Sequence, residues 1–157
     1  MNNYLLILEE SLQKKIDVLE EISSYNEEQY KVFSENMPDL ESFDETIERK
    51  EELIQKLTQL DEGFESLYAK IAEQLSENRE QYAEQIRLLQ GLITQITDMS
   101  VKIQAQEARN KALIEGFFSK KRREVGDGRR SVHAAMSYYQ TQANSQFIPP
   151  QFMDSKN

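Results

Sequence analysis

The chain has no cysteine and no tryptophan, and only one histidine, three prolines and five glycines in 157 residues. Without cysteine there can be no disulfide, zinc–thiolate site, iron–sulfur cluster or thiol nucleophile. One histidine excludes the carboxylate-bridged metal bundles that need two Glu-x-x-His motifs, and it leaves little room for Ser/His/Asp catalysis. Ordinary usage is roughly 7% Gly and 5% Pro, and a sandwich, barrel or Rossmann-type domain needs turn residues far more often than this chain offers them. Apolar residues are scarce too, at 38% against roughly 45–50% in ordinary domains. That shortage argues against a core buried on two faces. The early apolar run Leu5-Leu6-Ile7-Leu8 is far short of the about 20 residues of a membrane span. With no basic leader before it and no small-residue cleavage site after it, no signal peptide is read here. A cytoplasmic protein without stable membrane insertion is expected.

What is present is the composition of long amphipathic helices, with Glu, Gln, Lys, Leu and Ile dominant. Leu5, Leu8, Leu12, Ile16, Leu19, Ile22, Asn26, Tyr30 and Phe33 keep the alternating three-and-four spacing of one helical stripe. The spacing predicts a first helix over about residues 3–35, capped at Asn2 or Asn3 and stopped by Pro38. A second helix begins near Asp39 and carries Leu40, Phe43, Ile47, Lys50, Ile54, Leu57, Leu60 or Asp61, Phe64, Tyr68, Ile71 and Leu75. Gly63 lies inside it, and the next turn falls at Ser76-Glu77-Asn78. A third helix carries Tyr82, Ile86, Leu89, Ile93, Ile96, Ser100 and Ile103. After Ile103 its apolar stripe gives out, because Gln106, Glu107 and Asn110 occupy the next positions. The fold class expected is all-α: an elongated, coiled-coil-like antiparallel three-helix bundle in which each stripe is buried by the other two. The bundle is placed at residues 1–125. Gly126-Asp127-Gly128 then opens a tail, 126–157, expected to be mobile or briefly helical and to order on binding a partner.

Charge divides the chain differently. Residues 1–108 hold 24 Asp/Glu against 10 Lys/Arg, whereas residues 109–130 hold eight Lys/Arg against three acids. The paired acids of the helices, such as Glu51-Glu52, have Lys or Arg nearby and read as solvated faces with i,i+4 support. Gly126-Asp127-Gly128 lacks the strand, the further Gly and the Lys-Ser/Thr of a phosphate loop, so it reads as a helix stop. His133 has no partner ligand within helical reach, and no metal or cofactor is expected. Leu113, Ile114, Phe117 and Phe118 offer anchors at i, i+3, i+4 spacing for a partner helix or groove. A nucleic-acid patch would interleave its aromatics with the charges; here the phenylalanines precede Lys120, Lys121, Arg122 and Arg123, and no nucleic acid is expected.

Several stretches resemble the FlgN-type flagellar export chaperones, in particular their clostridial versions. They are Glu51-Glu52-Leu53-Ile54-Gln55-Lys56-Leu57, Leu60-Asp61-Glu62-Gly63-Phe64-Glu65, Gln106-Glu107-Ala108-Arg109-Asn110-Lys111, Tyr138-Tyr139 and Phe152-Met153-Asp154. The likeness spans about residues 4–155. It implies a cytoplasmic, helical, non-enzymatic protein. Such a protein holds hook–filament junction (hook-associated) proteins by their C-terminal helix and delivers them to the flagellar type III export apparatus. It also implies client capture by about residues 103–140, which adds Ile103, Asn110, Val132, Met136 and Tyr139 to the four apolar anchors. Arg109, Lys120, Lys121, Arg122 and Arg123 would then act on encounter rate and register. Two other readings stand beside it: a FliT-type flagellar chaperone with a different client, and a structural coiled coil that homodimerises through the same stripes without a client.

Overall fold

Two breaks and three stripes set the architecture. The computed structural model describes residues 1–35, 37–121, 134–139, 147 and 149–153, with Lys121 by its backbone alone. It contains α1 (Asn2–Phe33), α2 (Leu40–Glu77) and α3 (Ala83–Lys121), and no strand among the described residues. Helix α1 starts one residue earlier than the Asn caps predicted: Met1 holds the N-cap position and no side chain caps it. The second start is built as expected. Asp39 Oδ1 accepts from the backbone N–H groups of Glu41 and Ser42 at 3.1 and 3.3 Å, and Ser42 Oγ donates to Asp39 Oδ2 at 2.9 Å. These bonds, that of the Ser42 hydroxyl first, hold the Asp39 carboxyl below its ordinary pKa. Gly63 does not interrupt α2. The turn after α2 is closed by Asn78, whose Nδ2 donates to the Gln74 carbonyl at 2.7 Å while its N–H donates to Leu75.

The chain runs up, down and up. Lys15 meets Asp61 and Gln29 meets Thr46, so α1 and α2 are antiparallel. Asn26 meets Gln106 and Phe33 meets Phe117, so α1 and α3 are parallel. The predicted stripes are buried almost throughout, from Leu5, Leu8 and Leu12 to Leu75, Leu89 and Ile96; each such side chain contributes roughly 1.5–3 kcal/mol. One position in α1 departs from the pattern: Tyr30 is exposed and Gln29 is buried in its turn. Gln29 bonds inward to Thr46, whereas the Tyr30 ring lies under the Arg109 guanidinium at 4.0 Å.

A larger difference concerns the third side of the bundle. Helix α1 packs against both α2 and α3, but the backbones of α2 and α3 do not approach each other among the described residues. Long side chains bridge the gap, among them Lys50 to Glu107 and Phe43 to Phe118. The stripes of α2 and α3 are therefore not closed by one another. Three residues after 133 meet these helices: Tyr138 is buried on Lys50 and Glu107, Phe152 packs on Phe64 and Tyr68 with ring centroids 6.2 and 4.9 Å apart, and the Met153 carbonyl accepts from Gln90. The boundary placed at residues 125/126 falls outside the described residues. Among the described residues no helix is long and apolar enough to cross a membrane.

Candidate functional site

Where the apolar stripe of α3 gives out, the core does not end; it turns polar. Asn26, Gln29, Thr46, Lys50, Gln106 and Asn110 are all buried, and they stand at one height of the bundle. Asn26 Nδ2 donates to Gln106 Oε1 at 3.2 Å, and Asn110 Nδ2 donates to the Asn26 carbonyl at 2.7 Å. Gln106 Nε2 donates to Ser23 Oγ at 3.0 Å and to Glu27 Oε1 at 2.9 Å. On the α2 side, Gln29 Nε2 donates to Thr46 Oγ1 at 3.0 Å, and Gln29 Oε1 accepts from Lys50 Nζ at 3.2 Å. At the edge of the layer Arg109 Nη2 pairs with Glu27 at 3.1 Å. The Gln106 amide, more than Arg109, holds the half-exposed Glu27 carboxyl below its ordinary pKa. Buried amides in a helical seam fix register at some cost in stability.

Toward the open side the layer ends in an ion pair. Lys50 Nζ lies 2.7 Å from Glu107 Oε1, with the lysine side chain 0% and the glutamate side chain 12% exposed. Tyr138 Oη donates to the same Glu107 oxygen at 2.6 Å, and the ammonium stands 4.3 Å from the Tyr138 ring centroid. Burial pulls the Lys50 pKa down against the pull of Glu107. Burial first, and the Glu107 charge second, push the Tyr138 hydroxyl up. Burial raises Tyr139 likewise. Among the described residues Glu107 Oε2 and Tyr139 Oη are buried without a hydrogen-bond partner. A sealed ammonium–carboxylate–phenol trio is a connector between elements. It links α2, α3 and the segment that covers them.

The residues singled out from the sequence divide into three groups. Ile103, Asn110 and Ile114 are inside the bundle, buried by the chain itself. Leu113, Phe117 and Phe118 are half-buried at the far end of α3. The phenylalanine rings stand edge-on to Phe33 at 5.2 and 6.1 Å. Met136 is exposed, and Tyr139 half-buried. Arg109 and Lys120 are exposed on α3. Val132, Arg122, Arg123 and the Lys121 side chain lie outside the described residues.

Sequence reasoning missed Ala135 and Tyr138, choosing the neighbouring register of Met136 and Tyr139, and it missed Lys50 and Glu107 as a pair. A signal for the pair existed: Asn26, Lys50 and Gln106–Asn110 are the polar interruptions of three separate stripes. Among the described residues no three His, Asp or Glu side chains are grouped to hold a metal ion.

Comparison with known proteins gives one result. The model of the FlgN protein family matches residues 4–124, which takes in all three long helices. No curated protein and no solved structure matches the chain.

Proposed function

Since this chain belongs to the FlgN family of flagellar type III export chaperones, we propose that it holds hook–filament junction proteins by their C-terminal helix until export. The family match over most of the chain carries the reading. The geometry supports it with one feature: two amphipathic helices, α2 and α3, whose facing sides are not closed by each other. A client's amphipathic helix is prone to aggregate while exposed, and a chaperone supplies the missing partner face. The client-binding surface in this reading is the second half of α3 together with the segment around 132–139. Leu113, Phe117, Phe118, Met136 and Tyr139 supply contact, and Ile103, Asn110 and Ile114 hold the shape beneath them. Arg109, Lys120, Lys121, Arg122 and Arg123 act on encounter more than on affinity. The reading includes no chemical step, cofactor or nucleic acid. It places the protein in the cytoplasm, with the export apparatus as its second partner.

The test is complex formation between the full chain and the C-terminal segment of a hook-associated protein, followed by size-exclusion chromatography with light scattering. The full chain should bind, and Phe117→Ala with Phe118→Ala should abolish binding while far-UV circular dichroism stays close to wild type. Because both rings support Phe33, thermal unfolding of the variant must be recorded in parallel. A full chain that only self-associates would move the reading to the structural coiled coil. A double variant that still binds would place the surface elsewhere.

A further inference from the structure

Tyr138 belongs to neither α2 nor α3, yet it touches both on the side where their backbones do not approach. Its hydroxyl donates to Glu107 Oε1 of α3 at 2.6 Å, and its ring centroid stands 4.3 Å from Lys50 Nζ of α2. The two charged groups are themselves 2.7 Å apart. Toward α1 the ammonium meets only an uncharged acceptor, Gln29 Oε1 at 3.2 Å, among the described residues. Phe152 and Met153 make different contacts, the first with Phe64 and Tyr68 of α2, the second with Gln90 of α3. Tyr138 is fully buried, and its ring is part of what keeps water from the pair.

Opposite charges tie two helices differently when dry and when wet. Kept from water, neither charge can leave the other without standing uncompensated in the interior, and that fixes their separation. Once water reaches them each is hydrated alone, and their attraction falls about fourfold as the effective dielectric constant goes from about 20 to about 80. Separation then costs little. Burial already draws the Lys50 pKa down against the pull of Glu107, the mark of the dry case.

We propose that Tyr138 is a latch on the Lys50–Glu107 pair: docked, it keeps the pair dry and α2 and α3 at one spacing, and lifted away it lets water in and frees α2 to swing from α3 about α1. Phe43 and Phe118, with ring centroids 6.4 Å apart, form the pivot. They lie about two turns from Lys50 along α2, and an apolar contact is not loosened by water. The spacing of α2 and α3 thereby follows the docking of 134–139. This coupling does not depend on the chaperone reading.

The chain has no cysteine, so nitroxide labels go only where they are placed. In the full chain, Gln55→Cys on α2 with Ala105→Cys on α3, both exposed positions, read the α2–α3 distance by double electron–electron resonance. Ser24→Cys on α1 with Ala105→Cys is the control. Tyr138→Ala should lengthen the α2–α3 distance by about 1–2 Å, the size of helix shifts at packed interfaces, and broaden it, while the α1–α3 distance stays as it was. Ala135→Glu, which unseats the same stretch by burying a charge and leaves the trio's residues in place, should widen it equally. Tyr138→Phe keeps the ring over the ammonium and should keep the wild-type distance. Any lost ring leaves space behind it, so the deciding comparison is made in the Lys50→Met/Glu107→Leu protein. There water reinforces the contact between the two side chains instead of dissolving it, and Tyr138→Ala should leave the α2–α3 distance unchanged. Equal widening with and without the charged pair overturns the inference. An unchanged distance in both Tyr138→Ala and Ala135→Glu overturns it as well.

Discussion

Replacing Lys50 with methionine should destabilise the protein by about 3–5 kcal/mol, the usual cost of breaking a buried pair by removing one member. The structure sets that size. The Lys50 side chain is fully buried and Glu107 nearly so, and water reaches neither well enough to replace the lost partner. With Lys50 gone, Glu107 keeps the Tyr138 hydroxyl as donor to Oε1, and Oε2 is already without one. Glu107→Leu strands the ammonium against Gln29 Oε1 and the Tyr138 ring. Its cost should be smaller at pH 9 than at pH 7, because burial already favours the neutral amine. Removing all three polar tips together, as Lys50→Met, Glu107→Leu and Tyr138→Phe, leaves no orphan from the trio. That variant should lie within about 1 kcal/mol of wild type or above it. Urea denaturation followed at 222 nm gives the cycle, with a coupling energy of at least about 2 kcal/mol between Lys50 and Glu107. Single changes costing under about 1 kcal/mol and adding without coupling would mean that the pair is solvated. The argument from burial would then be wrong.

Gly63, Gly91 and Gly116 lie inside helices, and a Cβ added at any of them meets no atom within 4 Å; changing all three to Ala should stabilise by about 2–3 kcal/mol, read as a higher urea midpoint at unchanged slope. Asn26, Gln106 and Asn110 changed together to Leu should raise the melting temperature but broaden the oligomer distribution in light scattering, because the register signal between α1 and α3 is removed. Tyr138 and Tyr139 keep their protons in the folded state above the ordinary value of 10.0, where the unfolded chain has lost them. The unfolded state then binds fewer protons, so stability falls as pH rises beyond 10. Lys50 works the other way, with its gain confined to the interval below 10.5. Absorbance at 295 nm should accordingly rise in two steps, the second coincident with loss of helix; a single reversible step for all seven tyrosines would contradict the burial of this pair.

The number, order and ends of the helices were legible because their determinants are local. Pro38 and Asn78 break the chain wherever the helices dock, and a stripe at three-and-four spacing buries whichever partner covers it. The polar layer was visible residue by residue but not as a layer. Asn26, Lys50 and Gln106 each look like a gap in one stripe, and only docking shows that the gaps share a height. For the same reason the end of the apolar pattern in α3 suggested an unoccupied surface, where Ile103, Asn110 and Ile114 are in fact enclosed. Tyr138 and Tyr139 show a finer limit. Both are aromatic, both sit at helical spacing from apolar neighbours, and it is Tyr138 whose ring is fully buried and whose hydroxyl meets Glu107 of α3.

The division of labour between the two seams explains how a bundle can keep one side open. Between α1 and α3 the Asn26 amide donates to Gln106 and the Asn110 amide donates to the Asn26 carbonyl, which penalises any slip of one helix along the other. Between α1 and α2 the pair Lys15–Asp61, at 2.7 Å, and the Gln29–Thr46–Lys50 bonds do the same at two heights. Both α2 and α3 are thus indexed to α1, and the Lys50–Glu107 pair ties them to each other at one height. A bundle closed equally on three sides by apolar stripes would be more stable, but it would have no face to offer a helix from another chain.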